Sequence, residues 1–185
     1  MRTVRRTIVR RLAEVRGYTL VELIVVCTIL TVILGGLTTV FVSASTAQIE
    51  QTQRFQAQQQ ARLALDKIRR EVHCASAITP TGQSSSVTLT LPAGCPSGSG
   101  LVTWCTFPVA TSRYGLYRAP GAVCLTSGAR LADFLVSTKI FNFSAATTSS
   151  RGKLHVTLPV NVKPSKLNLT YALVDDIILR NSART

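Results

Sequence analysis

From Leu23 to Val42 the chain carries no charged side chain, and one carboxylate, Glu22, stands at the head of that run. About twenty apolar residues at 1.5 Å each extend roughly 30 Å as a helix, the thickness of a bilayer's hydrocarbon. A carboxylate in such a helix costs on the order of 2.5–3.5 kcal/mol at its centre and less near an end. The charge needs a partner, and the run offers no cation. The partner is expected from another chain or from a newly made chain terminus.

Residues 1–17 form a basic leader with Arg2, Arg5, Arg6, Arg10, Arg11 and Arg16. Arginines before an apolar helix stay cytoplasmic, which places the C-terminal part outside. A secretory signal has its small-residue cleavage site after the apolar stretch. Here the small residue Gly17 precedes it, although Ser43–Ala47 offers an imitation of the usual site. An ordinary signal anchor is the competing reading, and Glu22 and the Gly17–Tyr18 junction count against it.

The net charge of +13 shrinks once the leader is set aside. The leader holds six of 21 basic and one of eight acidic residues, so removal leaves 15 and seven, or +8. That balance still attracts phosphate or anionic lipid without sequence specificity. Cys27 lies inside the apolar run and reads as a small hydrophobe. Cys74, Cys95, Cys105 and Cys124 follow it. There is no CxxC spacing and only His73 and His155 supply imidazoles, so no metal site is expected. Four cysteines in a domain delivered across a membrane read as two disulfides. Three pairings are open. Cys74–Cys95 with Cys105–Cys124 is preferred because it closes short loops.

The segment Arg16-Gly17-Tyr18-Thr19-Leu20-Val21-Glu22-Leu23-Ile24-Val25-Val26 resembles the type IV pilin and pseudopilin family. The resemblance implies cutting by a prepilin peptidase between Gly17 and Tyr18 on the cytoplasmic face, and N-methylation of Tyr18. Glu22 becomes the fifth mature residue, the family's filament-assembly glutamate. The family most often has phenylalanine where this chain has Tyr18. A neighbouring subunit's Glu22 and the new amine of Tyr18 would neutralise each other in a low-dielectric setting, where losing one partner of a buried pair costs about 3–5 kcal/mol. The resemblance thus implies partners in the peptidase, other pilin subunits and the cytoplasmic (inner) membrane, then a periplasmic or extracellular filament. A shorter likeness, in Leu116-Tyr117-Arg118 and Asp175-Asp176-Ile177-Ile178-Leu179-Arg180-Asn181, is similar to J-type minor pseudopilins and W-type minor pilins and implies a minor subunit.

Residues 43–75 contain no proline or glycine and are rich in Gln, Ala, Arg and Leu, all helix formers. One helix is predicted from about Thr19 to about Cys74, with residues 18–42 its membrane or filament-core part. Gly35-Gly36 reads equally as a bend or a packing surface. Ile49, Phe55, Leu63, Ile68 and Val72 offer an apolar stripe, and Asp66–Arg70 and Lys67–Glu71 are spaced as i,i+4 pairs. Residues 76–185 read as a β-rich head. Period-two alternation appears at Val87–Leu91, Leu101–Phe107, Tyr114–Arg118, Lys139–Phe143, Leu154–Val162 and Leu167–Leu179. Leu131–Val136 reads as a helical turn. Small open sheets are marginal alone, so this one should cover the helix around Leu63, Leu65, Ile68 and Val72. The fold class is α+β, a long N-terminal helix packed on a C-terminal antiparallel sheet.

No catalytic set emerges, and the chain reads as a structural protein, not an enzyme. Asp175-Asp176 is the one adjacent carboxylate pair, but neighbours on a strand face opposite sides, and a solvated pair is the expectation. Residues 94–100 lack the lysine and strand–helix context of a phosphate loop, so no cofactor is expected. Arg113, Arg118, Arg130, Lys139, Arg151, Lys153, Lys163 and Lys166 could meet DNA, as in competence pilins, with Trp104, Tyr114 and Tyr117 as stacking surfaces. A dispersed basic surface is the plainer reading. Filament subunit, DNA-binding tip subunit and membrane-anchored extracellular domain are therefore the three functional classes.

Overall fold

The computed structural model describes residues 18–181. The leader and its Gly17 lie outside them. The chain divides between Gln48 and Ile49. Helix α1 runs over Leu20–Cys74. Nine strands follow: β1 (Ala77–Thr79), β2 (Gly82–Ser84), β3 (Ser86–Leu91), β4 (Gly100–Ala110), β5 (Arg113–Pro120), β6 (Ala129–Leu135), β7 (Phe141–Ser144), β8 (Lys153–Val160) and β9 (Tyr171–Ile178). The arrangement is α+β and pilin-like: one long N-terminal apolar helix, then a curled antiparallel sheet.

In the first unit the helix from Leu20 onward is long and apolar enough to cross a membrane, and none of its apolar window is buried. Its hydroxyls do not waste hydrogen bonds. Thr28 donates to Val25 O, Thr31 to Thr28 O, Thr38 to Leu34 O and Thr39 to Gly36 O, all at 2.7–2.8 Å. Bonding back to the helix's own carbonyls is what lets Ser and Thr sit in an apolar span, where an unsatisfied polar group is costly. Helix α1 passes through Gly35-Gly36, where an added Cβ would meet nothing within 4 Å.

In the second unit the sheet order is β1-β3-β4-β5-β6-β8-β7-β2, with β9 also paired to β8. Its inner face carries Val87, Leu89, Val102, Trp104, Leu116, Phe141, Leu154, Val156 and Leu158, all buried. The helix answers with Ala57, Ala61, Ala64, Leu65, Ile68 and Val72, and Ala75 follows just past its end. At 100° per residue these fall on one stripe, and the three alanines let the sheet come close. Leu65 lies on that stripe. Leu63, two residues away and about 200° round the helix, does not. Leu63, Ile49 and Phe55 are exposed, which corrects the predicted stripe: large apolar side chains suggested the face, but spacing and small residues set it.

The segment expected as a helical turn at Leu131–Val136 is strand β6, paired with β5. Its alternation is broken because Phe134 has a φ of +63°, and the register shifts on either side of Leu116. A positive φ is costly for a bulky residue. It is held by Asp133, whose Oδ1 accepts the Phe134 N–H at 2.7 Å, and by Arg113, whose guanidinium lies 3.7 Å over the Phe134 ring. Arg113 also grips Asp133 with two bonds, 2.9 and 2.6 Å. Strands β1 and β2 were not foreseen. At three residues each they are too short to show a period.

Two disulfides fasten the head. Cys74–Cys95 ties the end of α1 to the loop after β3, and Cys105–Cys124 ties β4 to the loop after β5. That second loop covers the outer side of β4, where Thr103 Oγ1 donates to Gly121 O at 2.7 Å and Thr103 and Cys105 are buried. Cys27 is free and exposed.

One buried carboxylate joins helix to sheet. Glu71 on α1 is fully buried. Its Oε2 accepts from Trp104 Nε1 at 2.8 Å, and its Oε1 accepts from Arg118 Nε at 2.8 Å. Trp104 and Arg118 are cross-strand partners on β4 and β5. Arg118 also donates from Nη2 to Ser97 O, in the loop already held by Cys95. The i,i+4 ion pairs expected on α1 are replaced: Glu71 turns inward instead of reaching Lys67, and the Asp66 carboxylate pairs with Arg69 at 3.1 Å while Arg70 Nε donates to the Asp66 carbonyl at 3.3 Å. At Glu71 the sheet cation Arg118 outcompetes a solvated i,i+4 partner because it meets the carboxylate where water is excluded.

Two tests follow from this packing. Glu71→Ala should destabilise the head by about 3–5 kcal/mol, because it strands Arg118 and the indole N–H; denaturant unfolding that differs from the parent by less than about 1 kcal/mol would contradict the assignment. The acid limb gives the other. Hydrogen bonds from Lys163 and Arg54 hold Glu50 below its ordinary value, and those from His155 and Lys153 do the same for Asp176. Burial pushes Asp133 up, yet the Arg113 bond, the Phe134 N–H and the Arg113 and Arg130 charges together bring it below normal. A depressed folded pKa gives stability that is present above the unfolded value and lost as pH falls through the folded one. Stability contributed by these three groups should therefore stay level from neutral pH down to about 5 and fall only below about 4. A thermal-melt series should show Asp133→Asn flattening that acid limb.

Candidate functional site: the N-terminal helix start

The chemistry-bearing end of the described chain is the start of α1. Tyr18 precedes the helix and is 79% exposed. Thr19 is the N-cap. Its carbonyl accepts the first helical bond from Leu23 N–H at 3.2 Å, and its hydroxyl accepts the Glu22 N–H at 3.3 Å. Thr19-Leu20-Val21-Glu22 has the T-x-x-E spacing of a capping box, a local signal that the sequence reading passed over. Glu22 sits in the first turn, where the helix dipole favours a negative charge. The carboxylate is exposed, and among the described residues no cation lies within 4 Å of it. The helix thus presents one unpaired acid at the mouth of an uncovered apolar surface, next to the residue expected to become a new N-terminus.

The other residues singled out in the sequence fall elsewhere. Asp175 and Asp176 are on opposite faces of β9, but neither is a bare solvated group: Asp175 pairs with Arg69 at 2.9 Å, and Asp176 with His155 at 2.6 Å and Lys153 at 3.2 Å. His73 Nδ1 lies 3.0 Å from Ile178 O, joining the last turn of α1 to β9. Thr157 Oγ1 lies 3.1 Å from His155 Nε2, so a carboxylate, an imidazole and a hydroxyl are linked in series. They stand on an open sheet face with His155 and Asp176 about half exposed, and they fasten β8 to β9 instead of enclosing a substrate. Of the basic residues weighed for DNA, Arg113, Arg118, Arg130, Lys153 and Lys163 are engaged by carboxylates. Trp104 is fully buried and Tyr117 nearly so, packed edge-on against Phe107. These two rings serve the fold and present no stacking platform. Among the described residues no cluster of three or more His, Cys, Asp or Glu is placed to hold a metal.

The described chain is thus a pilin-like α+β fold led by a helix long and apolar enough to cross a membrane, with one acid in its first turn. Residues 13–38 match the family model of the prokaryotic N-terminal methylation motif. This prepilin-type motif supports a type IV pilin-like family and indicates a pilin- or pseudopilin-like precursor, a structural kind of protein processed by prepilin peptidase and assembled with pilin subunits. No curated protein and no solved structure matches the chain.

Thr19→Ala should remove one cap, worth about 1 kcal/mol. In micelles the Glu22 amide should then exchange with solvent about fivefold faster, and an unchanged rate would show that the hydroxyl does not hold the first turn.

Proposed function

We propose that this chain is a minor structural subunit of a type IV pilus or of a type II secretion-like pseudopilus. Residues 1–17 are a leader removed after Gly17, Tyr18 becomes the methylated N-terminus, and residues 18–42 hold the subunit in the inner membrane with the head outside. The helix then leaves the bilayer and packs with its counterparts in the filament core. Residues 43–75 continue it into the head formed by 76–185. The supporting observation is the unpaired Glu22 at the head of an uncovered apolar helix, inside a prepilin-type motif. An acid there is a liability in a lone subunit and an asset in an assembly whose neighbouring N-terminal amine neutralises it. The short likeness at Leu116–Arg118 and Asp175–Asn181 supports the minor role.

Coexpression with a prepilin peptidase should give a product beginning at Tyr18 with one added methyl group, by intact mass. Gly17→Ala should leave most of the chain untrimmed, and normal trimming would overturn the cleavage assignment. Glu22→Ala should be trimmed as the parent is, yet be lost from sheared filaments. Incorporation of that variant at parental level would remove Glu22 from its assembly role.

A further inference from the structure

The loop between β7 and β8 and the ends of β8 and β9 enclose an open cleft of about 590 Å³, lined by Ser144, Ser149, Ser150, Arg151, Lys153 and Ile178. The loop is braced. Thr147 Oγ1 accepts the Ser150 N–H at 3.1 Å and lies 2.8 Å from Ser150 Oγ, while Thr147 N–H donates to Ser150 O at 2.8 Å. Gly152 closes it against the Phe143 ring, which an added Cβ would meet at 3.3 Å. The bond from Leu179 N–H to Gly152 O, 2.8 Å, carries the β8–β9 pairing one step past Lys153–Ile178. Arg151 and Arg180 are thereby brought to the same end of the sheet.

Ion pairing leaves Arg62, Lys67, Arg70, Lys139 and Lys166 without a carboxylate among the described residues, as it does the cations at this end, but here a cleft accompanies them. Each of the six carboxylates between Ile49 and Asn181 is held by a cation: Glu50, Asp66, Glu71, Asp133, Asp175 and Asp176. Among the described residues neither Arg151 nor Arg180 has a carboxylate within 4 Å, and Lys153 shares Asp176 with His155. One uncompensated guanidinium, Arg151, a partly compensated ammonium and three serines therefore line one concavity, with Arg180 at the same end of the sheet but outside the lining. Guanidinium forks with hydroxyl donors are suited to a phosphate's oxygens. The volume is several times that of a bare phosphate and falls in the range of small-molecule sites. The lining residues include no aromatic ring for a base to stack on, and the hydroxyls suit a polyol.

The geometry points to this cleft as a binding site for a sugar phosphate, free or as the unit of a polymer. It is independent of trimming at Gly17, so its failure would leave the filament reading standing.

The full-length protein in zwitterionic micelles is titrated with glucose 6-phosphate, glucose, inorganic phosphate and a short DNA duplex, followed by calorimetry and by amide shifts. Glucose 6-phosphate should bind and shift the amides of Ser149–Lys153 and Arg180. Arg151→Gln should weaken it about tenfold or more, while Lys67→Gln on α1 should leave it unchanged. Absence of binding at about 10 mM overturns the proposal. So does equal affinity for glucose or for inorganic phosphate, or parental binding by Arg151→Gln. Duplex binding weakened alike by Arg151→Gln and Lys67→Gln, with no sugar-phosphate binding, would show diffuse attraction and overturn it as well.

Discussion

The head is organised around a carboxylate fully removed from water. Glu71 comes from the last turns of α1, and its two oxygens are taken by an indole and a guanidinium from adjacent strands. A lone buried charge would cost several kcal/mol, so the helix and the sheet can bury this one only together. The apolar stripe from Ala57 to Val72 would tolerate sliding, because methyl groups fit many registers. The acid does not. It fixes which turn of the helix faces β4 and β5, and through Arg118 and Ser97 it extends that choice to the loop held by Cys95. Apolar burial supplies most of the driving force here, and the polar triad supplies the register.

Glu22 poses the same electrostatic problem with the opposite solution. The hydroxyls of the apolar run bond back to its own carbonyls, so the run needs nothing for them. The helix dipole offsets part of the cost of the Glu22 charge, while the Thr19 cap serves the Glu22 backbone N–H. What is left over is a negative group with no cation among the described residues. Glu71 completes its shell inside the chain. On the proposed reading Glu22 completes its shell only between chains, which makes an unfavourable burial in the monomer into selectivity for a correctly placed neighbour.

Legibility in the sequence tracked how local each cause was. The helix limits were readable because proline and glycine are missing after Gly36 until Pro80, and the long strands because Val87–Leu91 and Leu154–Val160 alternate cleanly. Strand β6 was misread because a bulge at Phe134 destroys its period, and that bulge depends on Arg113 from another strand. The stripe on α1 is right at Ile68 and Val72 and wrong at Ile49, Phe55 and Leu63, where side-chain size outweighs spacing in the sequence pattern. Glu71 was given to Lys67, since nothing near it in sequence announces Trp104 and Arg118. At the candidate site, the Gly17–Glu22 pattern was read entirely from neighbours in the chain. The Thr19 cap was equally local, and its T-x-x-E signal was open to reading.

The distribution of charge links these points. A basic head could have been a uniform coat that attracts any polyanion. Instead, pairing of every described carboxylate in the second unit spends cations at structural joints: Arg118 on Glu71, Arg113 and Arg130 on Asp133, Arg69 on Asp66 and Asp175. The surplus that remains is spread over Arg62, Lys67, Arg70, Lys139 and Lys166, and part of it, Arg151 and Arg180, lies where β9 ends beside Gly152. Because the joints are saturated, an anion arriving at that end competes for few of the bonds that hold the fold. Only Lys153 is shared, and His155 can keep Asp176 anchored if Lys153 turns away. A chain built this way can carry a recognition surface on its head without loosening the helix–sheet joint beneath it.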